Sequence, residues 1–526
     1  MGVGHRQRDI ARRVPVPRAY ANRAGQVVLS VAVLLVGWHA LAVGSGLPTV
    51  ILPTPLAVAA AIRANAGSML EHVLYTAGEV ALGWTAGVAT GSFFAFGMAG
   101  SRRLRLVAYP YLIAVRILPL VVVVPILILL TGPTLVTRVL VAAILVFFPV
   151  TIAALDGLLS VPDDQVALLQ SVGTPTWKRL LFVNLPNALP SIFAGLKIAT
   201  PLAVEGVVLA EFLAASRGVG FRMLEAASNL RTPLLFGYMV ALVALGVGVF
   251  GVVVVADHLL QWDDGDDDVV SDSLWTGGSV EEPWDLTSRG LLLGSIPGLI
   301  AVWHLGAAAV PHSRLFLPTP TAVATVLASS ADLFVSATVQ SAVTFANGWA
   351  AGAGVGFALG AVVALVPRLR AVVYTYLVGF RVMPVIAFAP VLLVWLGVSF
   401  EAAVVLVAAA TFFPVAMGAA AGLARLPAAH ADLFELVDAP GWRVFLVRLR
   451  YATPALFSGI KLSVITGISG VVIAEWFVAE AGLGVLVLQQ TRTFQPDLAF
   501  AAIVWLFGFG AGTFALVALL QRRLTW

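Results

Sequence analysis

The sequence predicts an all-α, polytopic membrane protein built from two tandem six-helix repeats, twelve transmembrane helices in total. Three observations carry this. The 526-residue chain is 60% hydrophobic and 11% charged with mean hydropathy +0.98, too little polar surface for a soluble chain of that length. Its second half repeats its first at a nearly constant spacing. Apolar runs of about 20 residues, the length needed to cross the hydrocarbon, recur six times in each half.

The spacing is measured by matched residues. Trp303-His304 stands 265 residues after Trp38-His39, and the same offset relates Pro318 to Pro53, Arg381 to Arg116, Pro384 to Pro119 and Trp442 to Trp177. From Pro190/Pro454 onward the offset is 264, through Lys197/Lys461, Glu211/Glu475 and Gly220/Gly484. One residue is therefore missing from the second copy between Trp442 and Pro454. An offset held over the whole length is tandem duplication.

The elements follow in order. Residues 1–25 are a basic segment with Arg6, Arg8, Arg12, Arg13, Arg18 and Arg23. The apolar run after it has a counterpart far from any N-terminus, so it reads as a retained helix and not a signal peptide. The first repeat takes 26–262, with its core at about 70–258; its spans lie near 27–46, 74–99, 107–130, 134–157, 191–213 and 234–257. Gly87, Gly91 and Gly97 suit close helix approach. An acidic linker, 263–288, follows, with Asp263, Asp264, Asp266, Asp267 and Asp268; it lacks the spaced ligands of a calcium loop and reads as a solvated cytoplasmic connection. The second repeat takes 289–526, with its core at about 336–522 and spans near 290–309, 339–365, 371–396, 400–423, 455–477 and 498–520. Six spans return each copy to its starting side, so the repeats are parallel and related by a pseudo-twofold along the membrane normal.

Basic residues set the orientation. Arg102, Arg103 and Arg105 follow span two, matched by Arg368 and Arg370. Lys178 and Arg179 follow span four, matched by Arg443, Arg448 and Arg450, and Arg522 and Arg523 close the chain. All fall on one face if both termini are cytoplasmic, although Arg217, Arg222 and Arg231 lie on the other. The location predicted is a cell membrane.

No catalytic constellation is present. There is no P-loop and no HExxH, the seven His are scattered, and the absence of Cys excludes disulfides and thiolate metal sites. No enzyme activity, cofactor, metal or nucleic-acid partner is expected.

Two stretches stand out, Ser171–Lys197 and Val437–Lys461. Each is amphipathic, basic and bounded by Pro. Thr174 before Pro175 predicts an N-cap with Pro at the first helical position. Trp177, Leu180, Leu181, Asn184 and Leu185 then share one side, as do Trp442, Phe445, Leu446 and Leu449 in the second copy, with Lys178, Arg179, Arg443 and Arg450 off the stripe. Such helices suit a groove on a partner, or alternatively a lipid interface; two copies at matching positions favour a partner with two grooves. Within the spans, Arg116, Arg381, Glu205, Glu211 and Glu475 are charges at membrane depth, beside Pro119 and Pro384. Each is either a structural pair or part of a translocation path, electropositive at the two Arg and suited to an anion. Glu205 has neutral Ser469 as counterpart. Lys197 and Lys461 are expected to snorkel to the interface.

The two basic stretches resemble the EAA loop of binding-protein-dependent ABC importer permeases. The wider pattern is similar to the nitrate/taurine/aliphatic-sulfonate branch, through LPTP at Leu52 and Leu317, Arg116–Pro119 and Arg381–Pro384, the two FFP segments at Phe147 and Phe412, and AE…GxG at Ala210-Glu211/Gly218–Gly220 and Ala474-Glu475/Gly482–Gly484. The resemblance implies type I transmembrane domains whose loop helices dock on two ATPase subunits, separate chains or a homodimer, with substrate delivered by an extracytoplasmic binding protein. It implies a small anionic or polar solute, nitrate-, sulfonate- or taurine-like, or a thiamine-precursor pyrimidine. The loop departs from its pattern: Ala167–Gly173 lacks the Glu, Asp438 precedes Pro440 where Gly is expected, and Leu185-Pro186 becomes Leu449-Arg450. Coupling in the two halves is therefore expected to differ. An ion-coupled secondary transporter also fits twelve spans in parallel halves.

Overall fold

The computed structural model describes residues 31–117, 119–260, 286–309 and 316–524. The basic N-terminal segment, 1–25, and nearly all of the acidic linker lie outside the described residues. Among the described residues there are helices and no strands. The first copy runs α1 (Val31–Gly44), α2 (Pro55–Ala64), α3 (Ala66–Gly100), α4 (Arg102–Ile117), α5 (Val123–Thr131), α6 (Leu135–Leu159), α7 (Asp163–Ser171), α8 (Thr176–Ala214), α9 (Val219–Ser228) and α10 (Thr232–Leu260). The second repeats it as α11 (Leu286–Ala309), α12 (Pro320–Ser329), α13 (Ala331–Leu365), α14 (Pro367–Val382), α15 (Ala389–Leu396), α16 (Phe400–Ala424), α17 (Ala428–Leu436), α18 (Gly441–Phe477), α19 (Leu483–Arg492) and α20 (Pro496–Leu524).

Among the described residues, eight helices are individually long and apolar enough to cross a membrane: α3, α6, α8 and α10, and their partners α13, α16, α18 and α20. The third span of each copy is broken. Proline has no N–H to give and disfavours helix in the residue before it. Met383, before Pro384, is accordingly extended (ψ 122°); Pro119 (ψ 95°) and Pro384 (ψ 125°) are extended as well, followed by short 3-10 turns at Leu120–Val122 and Val385–Phe388. The short helices between the spans have local causes. In each LPTP the Thr caps the next helix: Thr54 Oγ1 accepts from the Ala57 N–H (3.2 Å) and Thr319 Oγ1 from the Ala322 N–H (3.3 Å), with Pro at the first position.

Each copy is organised on a packed trio, α3–α6–α8 and α13–α16–α18. Small residues allow the close approach. A Cβ on Gly87 would sit 2.7 Å from the Ala143 carbonyl, and one on Gly91 2.9 Å from the Phe147 carbonyl. Gly83 belongs to this ladder, against Ala142, whereas Gly97 meets only the side chain of Leu104. The copies pack reciprocally: α9 on α15 and α19 on α5, α10 on α14 and α20 on α4. That exchange of partners is the signature of a pseudo-twofold. Phe212 and Phe477 meet edge-to-face across it, centroids 5.4 Å apart.

The missing residue has a structural location. α8 contains a π turn, Leu180–Asn184, whereas α18 is regular α-helix throughout. A π turn absorbs one extra residue without breaking the helix. Asn184 Nδ2 donates to the Leu158 carbonyl at the end of α6 (2.7 Å), and Arg448, 264 residues on, donates to the Leu423 carbonyl at the end of α16 (3.1 Å). The bonds are equivalent, so the extra residue lies between Trp177 and Asn184.

Candidate functional site

The structure offers two candidate sites, one at the end of the bundle and one at its centre. At the end, α7 leads through Gly173 into α8, and α17 through Asp438 into α18. Both turns need a left-handed residue (φ 70° at Gly173, 45° at Asp438), a conformation that suits Gly and strains a side chain. The basic stretches are not separate short helices but the first turns of α8 and α18. Thr174 is not the cap: Pro175 and Pro440 occupy the N-cap positions, without a side-chain bond. The apolar stripe divides. Leu180 is buried among Ala99, Leu158 and Ala188, and Phe445 packs against Ala364, Leu423 and Ala452. Trp177 (59%) and Trp442 (62%) remain exposed, with Leu181, Phe182 and Leu446. Lys178 and Arg443 do not point elsewhere: Nζ lies 5.5 Å from the Trp177 ring centre and the guanidinium 5.3 Å from that of Trp442. Arg450 is exposed, Leu449 half-buried. Each copy thus presents an aromatic knob with a cation on it, beside the exposed arginines Arg102, Arg103, Arg368 and Arg370.

At the centre, a cavity of about 340 Å³ lies between the copies. It is walled by the breaks in the third spans (Leu120, Val121, Met383, Pro384, Val385), by both FFP segments (Phe148-Pro149, Phe413-Pro414), and by the middles of α8 and α18. Irregular backbone at membrane depth is expected where it lines such a space. Most of the wall is apolar. Its polar side chains among the described residues are Glu205 on α8 and, on α18, Thr466 and Ser469. Arg116 and Arg381 stand next to the breaks; their side chains lie outside the described residues.

Residues 87–262 and 352–526 each match one family, described as the binding-protein-dependent transport system inner membrane component. The chain belongs to this family. Similar proteins include a probable ABC transporter permease of Haemophilus influenzae, 30% identical over 42% of this chain and 91% of the relative. A riboflavin transport system permease of Chloroflexus aurantiacus is 30% identical over 45% and 89%. A taurine transport system permease of Escherichia coli is 30% identical over 39% and 79%. Each relative spans about one copy. No solved structure matches. The chain is therefore an ABC permease with two copies of the domain fused, a multi-pass membrane protein and a transport component rather than an enzyme. Its partners are in general an ATPase and a substrate-binding protein.

The family's AE…GxG motif has a structural explanation here. Glu211, at the end of α8, accepts from Thr76 Oγ1 (2.7 Å) and from the Gly220 N–H (2.6 Å), while Thr76 Oγ1 accepts from the Val219 N–H (2.9 Å). Glu475, Ser341, Gly484 and Leu483 repeat it at 2.6, 2.5 and 2.9 Å. The carboxylate caps the next helix's N-terminus, where orphan N–H groups and the helix dipole favour negative charge. Gly218 (φ 106°) and Gly482 (φ 142°) lie against it, and a Cβ on either would collide with the carboxylate. Glu211 and Glu475 thus hold α9 and α19, and neither is on the cavity wall.

Other intramembrane charges were missed by sequence reasoning. Glu79 and Arg138 form a buried ion pair (2.6 Å), with Arg138 also donating to the Tyr75 hydroxyl (2.8 Å). Their counterparts are Thr344 and Ala403. Lys197 does not snorkel alone: it pairs with Asp257 of α10 (2.7 Å), whereas in the second copy Lys461 is kept and Gln521 stands at the position of Asp257. An acid and a base in facing apolar spans were the available signal. The first copy therefore carries both charged pairs, while the second has neutral residues at three of the four positions and keeps only Lys461.

Proposed function

We propose that this chain is the whole membrane-spanning part of an ATP-driven importer for a small solute, supplying alone the two halves that single-domain permeases supply as a pair. The observation that carries the reading is the duplicated exposed knob, Trp177 with Lys178 and Trp442 with Arg443, at the same end of both family-matched copies. An exposed aromatic anchor beside a basic rim suits a groove on a soluble partner. The knobs continue as α8 and α18, which run unbroken to the cavity wall, so a shift at the docking end moves Glu205 and Ser469 directly. On this reading ATP binding and hydrolysis on two partner ATPase subunits drive alternating access, an extracytoplasmic binding protein delivers the solute at the α9 and α19 end, and both termini are cytoplasmic. Gly173, Pro175, Lys178, Arg179, Leu185 and Pro186, with Asp438, Pro440, Arg443, Leu449 and Arg450, shape the two docking ends. Arg116, Pro119, Arg381, Pro384 and Glu205 belong to the solute's path.

The test is co-purification and ATP-driven uptake in vesicles containing the permease, its ATPase and its binding protein. Trp177→Ala or Trp442→Ala is expected to release or uncouple the ATPase while the permease stays folded. Undiminished association and uptake in both variants, or uptake driven by an ion gradient without ATPase, would overturn the reading.

A further inference from the structure

We propose that the end of the bundle carrying α9 and α19 seats a two-lobed binding protein in one fixed orientation, an acidic lobe on the first copy and a basic lobe on the second. The proposal rests on the importer reading and adds which partner surface meets which copy. Two observations carry it, one shared by the copies and one not.

The shared observation is apolar. Just beyond α9 and α19 stand Leu230 (φ 54°) and Phe494 (φ 56°), both in the left-handed region. Glycine closes such a helix end without strain, whereas a bulky side chain there is an outlier. Packing within the fold does not compensate, since Leu230 is 57% exposed and Phe494 63%. Strain kept at two matching exposed positions fits a contact with something outside the chain. Each copy thus offers one apolar anchor at the end away from the tryptophan knobs.

The unshared observation is charge. At this end the first copy carries Arg63, Arg217, Arg222 and Arg231 against Glu71 and Glu225. Arg222 and Glu225 bind each other (2.6 Å), which leaves exposed Arg63, Arg217 and Arg231 against exposed Glu71. The second copy carries Asp332, Glu401, Glu480 and Asp497 against Arg492, and Arg314, outside the described residues, leaves that balance acidic. Each of these positions is neutral in the other copy; Ala328, Ala481 and Gln495 stand for the three exposed arginines. Helix dipoles do not explain the difference. Asp332, Glu401 and Asp497 do lie in first turns, where acids are favoured, yet the same turns of the first copy hold Gly67, Val136 and Pro233. Arg217 and Arg231 stand just before the N-termini of α9 and α10, where a cation is disfavoured.

An arginine-rich half therefore lies beside an acid-rich half, with an anchor on each. Complementary charge fixes register and penalises the reversed pose. Binding proteins that close about a hinge have two lobes, one for each copy. Two identical permease chains would present the same half twice and accept either pose.

The complete transporter, in zwitterionic nanodiscs, is titrated with its solute-loaded binding protein. At low salt, Arg217→Glu/Arg231→Glu and, separately, Asp332→Arg/Glu480→Arg are each expected to weaken binding about tenfold or more, and the fourfold reversal to regain most of it. The chain has no cysteine, so Asn229→Cys and Thr493→Cys, beside the two anchors, can each carry a maleimide benzophenone without background. Each is expected to crosslink one lobe, a different one for each, and the lobes to exchange in the fourfold variant. Unchanged affinity in both reversed pairs, either cysteine reaching both lobes, or a fourfold variant that keeps the parental pose overturns the proposal. So does loss of bound anionic lipid with affinity intact, in nanodiscs doped with it, which would assign the arginines to headgroups. ATPase association in the same preparation tests the importer reading separately, because pose can fail with coupling intact.

Discussion

Arg138→Ala tests how the first copy tolerates charge that the second lacks. Glu79 is 2% exposed and Arg138 6%, and the guanidinium supplies the ion pair that the structure gives Glu79. Removing it leaves a buried carboxylate uncompensated, near the second buried carboxylate at Glu211. Breaking a buried pair from one side costs about 3–5 kcal/mol, whereas replacing both partners with well-packed apolar residues of similar volume is often neutral or stabilising by about 1–4 kcal/mol. The second copy provides the replacement: Thr344 and Ala403 occupy these positions in the same packing. The double variant Glu79→Thr/Arg138→Ala is therefore expected to recover most or all of what Arg138→Ala loses. At roughly 2–4 °C per kcal/mol for domains of 150–250 residues, the single variant should melt about 6–20 °C lower. The assay is thermal unfolding of the purified protein in detergent, followed by tryptophan fluorescence and by the fraction remaining monodisperse. A single variant as stable as the parent would refute the reasoning, as would a double variant no better than the single.

Gly218→Ala should displace the Glu211 carboxylate and strand the Gly220 N–H, costing about 1–3 kcal/mol for the unpaired donor, with Gly482→Ala doing the same through Glu475; folded yield and melting temperature report it. Asp438→Gly relieves a left-handed side chain and should raise the melting temperature slightly, by about 1 kcal/mol or less in stability; an unchanged or lower value counts against strain at that turn. Deleting Val183 should convert the π turn of α8 into the regular helix seen in α18 with little loss of folded protein; collapse of the fold would show that the extra residue is structurally required. Trp177→Ala and Trp442→Ala should leave the melting temperature unchanged, because both rings are more than half exposed, so any loss of uptake reports the partner and not the fold.

Much of the architecture was legible because duplication doubled every signal. A constant offset cannot arise from composition, and it paired Pro119 with Pro384, the two FFP segments and the two AE…GxG motifs, although the third spans read as continuous in the sequence and their breaks at these prolines are visible only in the structure. The step from 265 to 264 marked the place of the π turn, although nothing in Leu180–Asn184 announces its geometry. What escaped was what the copies do not share. Glu79 and Arg138 have the neutral counterparts Thr344 and Ala403, and Asp257 has Gln521, so a comparison of repeats passes over all three. Helical periodicity also set Leu180 on the same stripe as Trp177. The side chain is buried because α3 and α6 reach that turn, information held in tertiary packing and absent from spacing. Glu211 and Glu475 read as charges at depth; their role as caps needed the left-handed glycines at 218 and 482 to be seen beside them.

The central claim is that one chain supplies both halves of the importer and docks two ATPase subunits. Native mass spectrometry of the assembled complex tests it most directly, combined with crosslinking from Trp177→Cys and Trp442→Cys to the ATPase. The account predicts one permease chain to two ATPase subunits, with each cysteine crosslinking to a different subunit. Two permease chains per pair of ATPases, or both cysteines reaching the same subunit, would contradict it.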